Sequence, residues 1–147
     1  MSTITIRQFT EQDIEAIYGL IKEFAAFQKS EEKLLITIEQ LKRDIGLFQC
    51  LVAEDADKQI IGFASYFYAY YSWSGKAIYL DDLYVQPLQR KQGVGSSLLN
   101  SIVQLAKQSN CIKVRWQVSN WNKNGIEFYE RFGAVIDEVE INCDYGV

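Results

Sequence analysis

The sequence predicts an α/β domain: a central mixed sheet covered by helices on both faces. Runs rich in β-branched and aromatic residues follow one another at Gln49–Glu54, Ile60–Tyr71 and 77–85, separated by turn residues. Helical periodicity brackets them, over 11–27 before and after Gly95 behind. A length of 147 residues, 48% of them apolar and 14% aromatic, suits one compact core, so residues 1–147 are expected to form a single domain. Three meandering strands followed by alternating helices and strands imply both antiparallel and parallel pairing.

Taken in order, Ile4-Thr5-Ile6 reads as a short first strand. Thr10 is a helix N-cap, with Asp13 three residues on in place of the usual Glu or Gln. Ile14, Ile17, Tyr18, Ile21, Phe24 and Ala25 then recur at helical spacing, and a shorter helix follows Thr37. Residues 55–58 and 72–75 are the turns of two hairpins, and Pro87 ends the third strand of the meander because it cannot donate to a ladder. Leu98, Leu99, Ile102, Val103 and Ala106 define the next helix. A buried strand over 113–118, a helix over 124–132 and one or two closing strands from Ala134 onward complete the order β-α-α-β-β-β-α-β-α-β.

Composition excludes several chemistries. Fifteen Lys+Arg against nineteen Asp+Glu give a net charge of −4, which argues against a nucleic-acid or anionic-membrane surface. There is no histidine, so Ser-His-Asp and Cys-His nucleophilic sites, HExxH metalloproteases and most zinc sites are out, and no metal is expected. Acid–base work must use carboxylates, Tyr, Cys, Lys, water or the backbone, which favours direct transfer between two bound substrates. The N-terminus shows no basic flank and apolar stretch of a signal peptide, and no run reaches the 18 apolar residues that span a bilayer. Cys50, Cys111 and Cys143 contain no CxxC, and reduced thiols in a cytoplasmic protein are the plain expectation.

The segment from Tyr84 to Leu98 passes from strand through turn into helix. Gly93 and Gly95 let the backbone curl and aim several N–H groups one way, and the helix N-terminus adds partial positive charge. With Arg90 and Lys91 beside it, this is a cradle for a pyrophosphate, although a strand–helix turn also uses glycine for geometry alone. Leu98 stands where a dinucleotide fingerprint needs its third glycine, and GxxxxGK[S/T] occurs nowhere.

The spacing Arg90-x-x-Gly93-x-Gly95 resembles the acyl-CoA pyrophosphate signature of GNAT acetyltransferases. Upstream, Tyr79-Leu80-Asp81-Asp82-Leu83-Tyr84-Val85 resembles that family's central strand. Downstream, Trp121-Asn122, Tyr129 and Gly133-Ala134 resemble its later helix segment. Within the superfamily the chain is similar to the diamine/spermidine and thialysine N-acetyltransferases over nearly its whole length, including Lys22-Glu23-Phe24-Ala25, Glu31-Glu32, Ile61-Gly62-Phe63-Ala64 and Trp73-Ser74-Gly75-Lys76.

The resemblance implies a GNAT fold and transfer of acetyl from acetyl-CoA directly to a small-molecule amine, a polyamine or a lysine-like amine. The acceptor alternatives are a protein, peptide or amino-acid amine, and a non-catalytic acyl-CoA-binding regulatory module is the other reading. It implies cofactor contacts from Leu83, Tyr84, Val85, Arg90, Lys91, Gln92, Gly93, Val94, Gly95, Ser96, Asn122 and Tyr129. Tyr129 is then the acid that protonates the departing thiolate, and Asp81 the base acting through water. Asp82, Glu31, Glu32 and Trp73 would bind the acceptor, and a homodimer is implied. Asp81 and Asp82 are adjacent, so in a regular strand only one faces the substrate; a bulge, which the family has here, re-aims them. The same bulge would expose main-chain N–H groups near Leu83 or Val85 to the thioester oxygen. Asp81 replaces a more usual glutamate, Gln28 and Lys29 stand where polyamine enzymes are more acidic or aromatic, and no tryptophan-bearing tail precedes Val147. Each departure points away from a long polyamine toward a smaller amine, a lysine analogue or an amino acid.

Overall fold

The computed structural model describes residues 3–147 and divides into two compact units, one ending at Trp116 and the other running Gln117–Val147. The larger unit is a five-stranded sheet in the order β1 (Thr5–Gln8), β2 (Gln49–Glu54), β3 (Ile60–Tyr71), β4 (Gly75–Val85), β5 (Lys113–Arg115). The first four strands pair antiparallel and β5 runs parallel to β4, so the sheet is mixed as expected. Its helices are α1 (Ile14–Phe27), α2 (Ile38–Arg43) and α3 (Val94–Gln108).

Local signals start the helices. The Asp13 carboxylate accepts the Thr10 backbone N–H at 2.7 Å, the reciprocal half of a capping box. At α2 the Thr37 hydroxyl accepts from the Gln40 N–H while the Gln40 amide oxygen accepts from the Thr37 N–H. Strand alternation then sorts the core. Phe63 and Tyr84 meet Ile17 and Leu20 of α1, with Cys50 and Val52, and Phe24 stacks on Tyr84 at 5.3 Å. One residue away on the opposite face, Gly62 lies against Leu98 of α3, whose Leu99 and Ile102 are also fully buried. Each such side chain contributes roughly 1.5–3 kcal/mol by leaving water.

An ion triad fastens one edge. Arg7 on β1 donates to Asp13 at 2.7 and 3.0 Å and to Glu54 at 2.8 and 3.2 Å, tying β1 to β2 and to the entry of α1. Both carboxyls are held below their usual range by these bonds.

In the smaller unit, α4 (Lys123–Phe132) begins where the Asn122 side chain accepts the Gly125 N–H at 3.0 Å. A Cβ on Gly125 would come within 2.6 Å of the Asn122 amide nitrogen, so the cap and the glycine go together. The helix closes with the Ala134 N–H on the Tyr129 carbonyl at 3.0 Å, past a left-handed Gly133.

Three expectations need correction. The strand predicted over 113–118 is only Lys113–Arg115, and it is partly exposed because it lies at the sheet edge with a partner on one side. The helix after the glycine turn starts at Val94, not beyond Gly95, since Gly93 already serves as its N-cap. No strand forms after Ala134. Val139, Ile141 and Tyr145 alternate as a strand would, yet all three are exposed: alternation supplies a face, but a strand also needs a ladder partner. Among the described residues, no helix is long and apolar enough to cross a membrane.

Candidate active site

Strand β4 carries the site. Its register against β3 runs Phe67↔Tyr79, Tyr66↔Leu80, then Ser65↔Asp82 and Phe63↔Tyr84, which leaves Asp81 as an extra residue. This is the bulge that the motif implied, and its extra residue is the first of the two aspartates. Asp82 takes the α1 side of the sheet with Ser65, Phe63 and Tyr84, and its N–H donates to the buried Ser65 hydroxyl at 3.2 Å. Sequence reasoning had no signal for Ser65; only the register brings it under Asp82.

The bulge sets the electrostatics. Burial, with the negative Asp81 beside it, pushes the Asp82 carboxyl up to about 7. Burial also raises Asp81, although that side chain reaches solvent. Among the described residues neither carboxylate has an ion-pair partner. A carboxyl that titrates near neutrality and lacks a cation is suited to hold an ammonium and accept its proton.

The second feature is an open edge. β5 pairs with β4 only at Ala77, Ile78 and Tyr79, so residues 80–85 have no strand on that side. The Gln86 N–H bonds back to the Ile61 carbonyl of β3 at 3.0 Å. Antiparallel alternation therefore directs residues 82 and 84 toward β3, and 83 and 85 away from it. The Leu83 and Val85 amides, expected to face the thioester oxygen, point to this edge.

The turn beyond β4 is the third. A short 3₁₀ turn, Pro87–Gln89, leads into Lys91 and Gly93, which have φ of 62° and 83°. Gly93 in this left-handed conformation caps α3, whose first turn contains Val94, Gly95 and Ser96. First-turn amides have no acceptor within a helix, and among the described residues no main-chain acceptor elsewhere takes the N–H groups of residues 91–96. A loop that leaves these donors outward beside a helix N-terminus fits a pyrophosphate. Arg90 is committed first to the fold: its Nε donates to the Val85 carbonyl at 2.8 Å, and its guanidinium lies 4.8 Å from the Phe27 ring and 5.4 Å from that of Tyr84. It fixes the turn to the end of β4. The Gln92 side chain lies 3.5 Å from the Leu88 carbonyl.

The other predicted residues are more scattered. Glu31 and Glu32 form an exposed 3₁₀ turn after α1. Trp73 is fully exposed in the β3–β4 turn, at the opposite end of β4 from the glycine turn, about 30 Å along the strand. In the smaller unit Asn122 caps α4, and Tyr129 lies on that helix with its ring 5.4 Å from Phe128. No group of three or more His, Cys, Asp or Glu side chains positioned for a metal occurs among the described residues.

A family model described as the acetyltransferase (GNAT) family matches residues 14–134. Thialysine N-epsilon-acetyltransferase of Bos taurus is 33% identical over 145 residues, covering 91% of this chain and 85% of that protein. Spermidine/spermine N(1)-acetyltransferase-like protein 1 of Homo sapiens is 35% identical over 145 residues, covering 92% of this chain and 21% of that longer protein. Among solved structures, an aminoglycoside acetyltransferase from an uncultured soil metagenomic sample superposes with a TM-score of 0.81, at 20% identity over 98% of this chain and 96% of that one. At that identity the likeness is one of fold.

Proposed function

The chain belongs to the acetyltransferase (GNAT) family, and from that premise we propose that it moves the acetyl group of acetyl-CoA directly onto a small-molecule amine. The observation that carries the proposal is the open edge of β4, set between an unpaired aspartate pair and an outward-facing amide turn. The turn around Gly93 holds the pyrophosphate of the donor, and Arg90 keeps that turn against β4. The Leu83 and Val85 amides receive the thioester oxygen as it gains charge.

At neutral pH an alkylammonium is almost wholly protonated, and freeing its lone pair costs roughly 4–5 kcal/mol. Asp82 supports that step better than the sequence-based choice of Asp81, because it is the one that titrates near 7 on the α1 face. Asp81, one bulge position away, draws the ammonium in. The nitrogen attacks the carbonyl carbon, its proton passes to Asp82 or water, and the carbon–sulfur bond breaks. The departing thiolate takes a proton, a role we assign to Tyr129 on the strength of its motif.

The relatives' names offer two acceptor kinds, a diamino acid and a polyamine. We propose a homodimer and a cytoplasmic setting as further parts of this reading, both resting on the resemblance. The test is thiol release from acetyl-CoA across a panel of polyamines, thialysine, amino acids and peptides, with Tyr129→Phe alongside. Acetyl-CoA that neither raises the melting temperature nor loses its acetyl group to any amine would overturn the proposal.

A further inference from the structure

Resting on that reading, we infer that the acceptor is a diamino acid, and that Arg115 and Lys113 hold its carboxylate while its distal amine meets the aspartate pair. The placement follows from one face of the sheet. Along β3, Phe63, Ser65, Phe67 and Tyr71 share the α1 side by alternation. Phe67 stacks on Tyr79 of β4, ring centroids 5.0 Å apart and planes 17° apart. On β5, Lys113 and Arg115 are two residues apart and so point the same way. Their cationic groups lie 4.6 and 4.7 Å from the centre of the Tyr71 ring.

Tyr79 sits between the two charged pairs. It is the register partner of Arg115 and stands two residues before Asp81. Its hydroxyl is raised by burial first, then by Asp81 and Tyr71, and drawn down by Arg115, so both charges reach it. Strand spacings put the Arg115 and Asp81 Cα atoms roughly 8 Å apart. Among the described residues neither Lys113 nor Arg115 forms an ion pair, and Arg115 is exposed.

The face thus presents two carboxylates at one end, two cations at the other and a stacked aromatic pair between. A polyamine would set an ammonium against the cations. A lysine-like zwitterion reverses that: its carboxylate fits the planar fork of Arg115, its methylene stem lies on Phe67 and Tyr79, and its far amine reaches Asp81 and Asp82. Neither β5 cation belongs to the central-strand or glycine-turn motifs, so nothing in those motifs selects them.

The experiment compares each amino acid with its own decarboxylated counterpart: lysine with cadaverine, ornithine with putrescine, and thialysine alongside. The full chain is expected to favour the amino acid in kcat/KM by about ten-fold or more, with acetylation at the side-chain nitrogen seen by NMR. Arg115→Gln should raise KM for the amino acid about ten-fold, leave kcat for it within about two-fold and lower KM for the diamine, whose second ammonium no longer meets the like charge of Arg115, with Arg115→Lys intermediate. Should Arg115→Gln fold poorly, lysinamide on the unaltered chain gives the same answer by removing the charge from the acceptor. Equal or better use of the diamine, or of lysinamide, overturns the inference while leaving acetyl transfer intact. A chain that acetylates no amine overturns the transferase reading itself.

Discussion

Asp13 and Glu54 share one guanidinium, whereas Asp81 and Asp82 have no cation among the described residues. The first pair lies where β1, β2 and the start of α1 meet, with four Arg7 hydrogen bonds between 2.7 and 3.2 Å, and both carboxyls are shifted down. The second lies at a bulge on β4, two strands beyond β2, has no ion-pair partner among the described residues, and is shifted up, Asp82 to about 7. Two pairs of like chemistry in one unit therefore do opposite work. A carboxylate given its cation by the fold holds the fold, and one left without a cation awaits it from a ligand.

The largest effect expected from this contrast falls on Asp82. Asp82→Asn keeps the shape and the Ser65 contact, which uses the main chain, but removes the proton acceptor. Steady-state kinetics should show kcat/KM reduced about a hundred-fold or more. In the unaltered chain kcat/KM should rise as pH passes through about 7, because the base must be ionised, and the variant should lack that rise. A variant with full activity would return the role to Asp81.

Next comes Arg7→Gln, which strands both of its carboxylates near the sheet edge. Its melting temperature should fall by roughly 5–10 °C, with turnover per folded molecule unchanged. The reverse result, a stable chain with impaired turnover, would make the triad part of the site and erase the contrast.

The difference in how these pairs are recognised is physical. The Thr10–Asp13 spacing gave away the cap because capping is local, but Arg7 as the partner of Glu54 depends on strand register between residues 47 apart in sequence. The glycine turn was legible because a left-handed residue such as Gly93 leaves a mark in the sequence. The bulge was not: nothing in the residue types from Tyr79 to Val85 marks an extra residue in the ladder, and only the motif implied one. Arg115 and Lys113 carried no signal at all, since a cation on an edge strand is ordinary until the sheet sets it beside Tyr71 and Tyr79. The closing strands failed for a related reason. Their alternation is plain, but pairing is a property of two segments.

The pH dependence of stability separates the two pairs without chemistry. Asp82 binds its proton more tightly folded than unfolded, so from about pH 4, where the unfolded carboxyl ionises, to about pH 7 it makes stability fall as pH rises. Asp13 and Glu54 bind theirs more weakly when folded, so their contribution is present above about pH 4 and lost as pH falls below it. Melting curves across this range should show both limbs. Asp82→Asn should flatten only the upper one, and Arg7→Gln only the lower one.

The smallest effect distinguishes charge from geometry within the triad. Lys58 also approaches Glu54, with Nζ 3.5 Å from the carboxylate, but its side chain is 82% exposed. An exposed lysine has three rotatable donors and a mobile stem, whereas the Arg7 fork meets Asp13 through two nitrogens and Glu54 through two. Lys58→Gln should therefore shift the melting temperature by less than about 1 °C. Glutamine is the informative replacement because Lys58 has φ of 65°, and asparagine would add its own preference for that backbone. If Lys58→Gln cost as much as Arg7→Gln, net charge near Glu54 would be what matters. The held geometry of the guanidinium would then no longer explain why one pair of carboxylates is settled and the other is not.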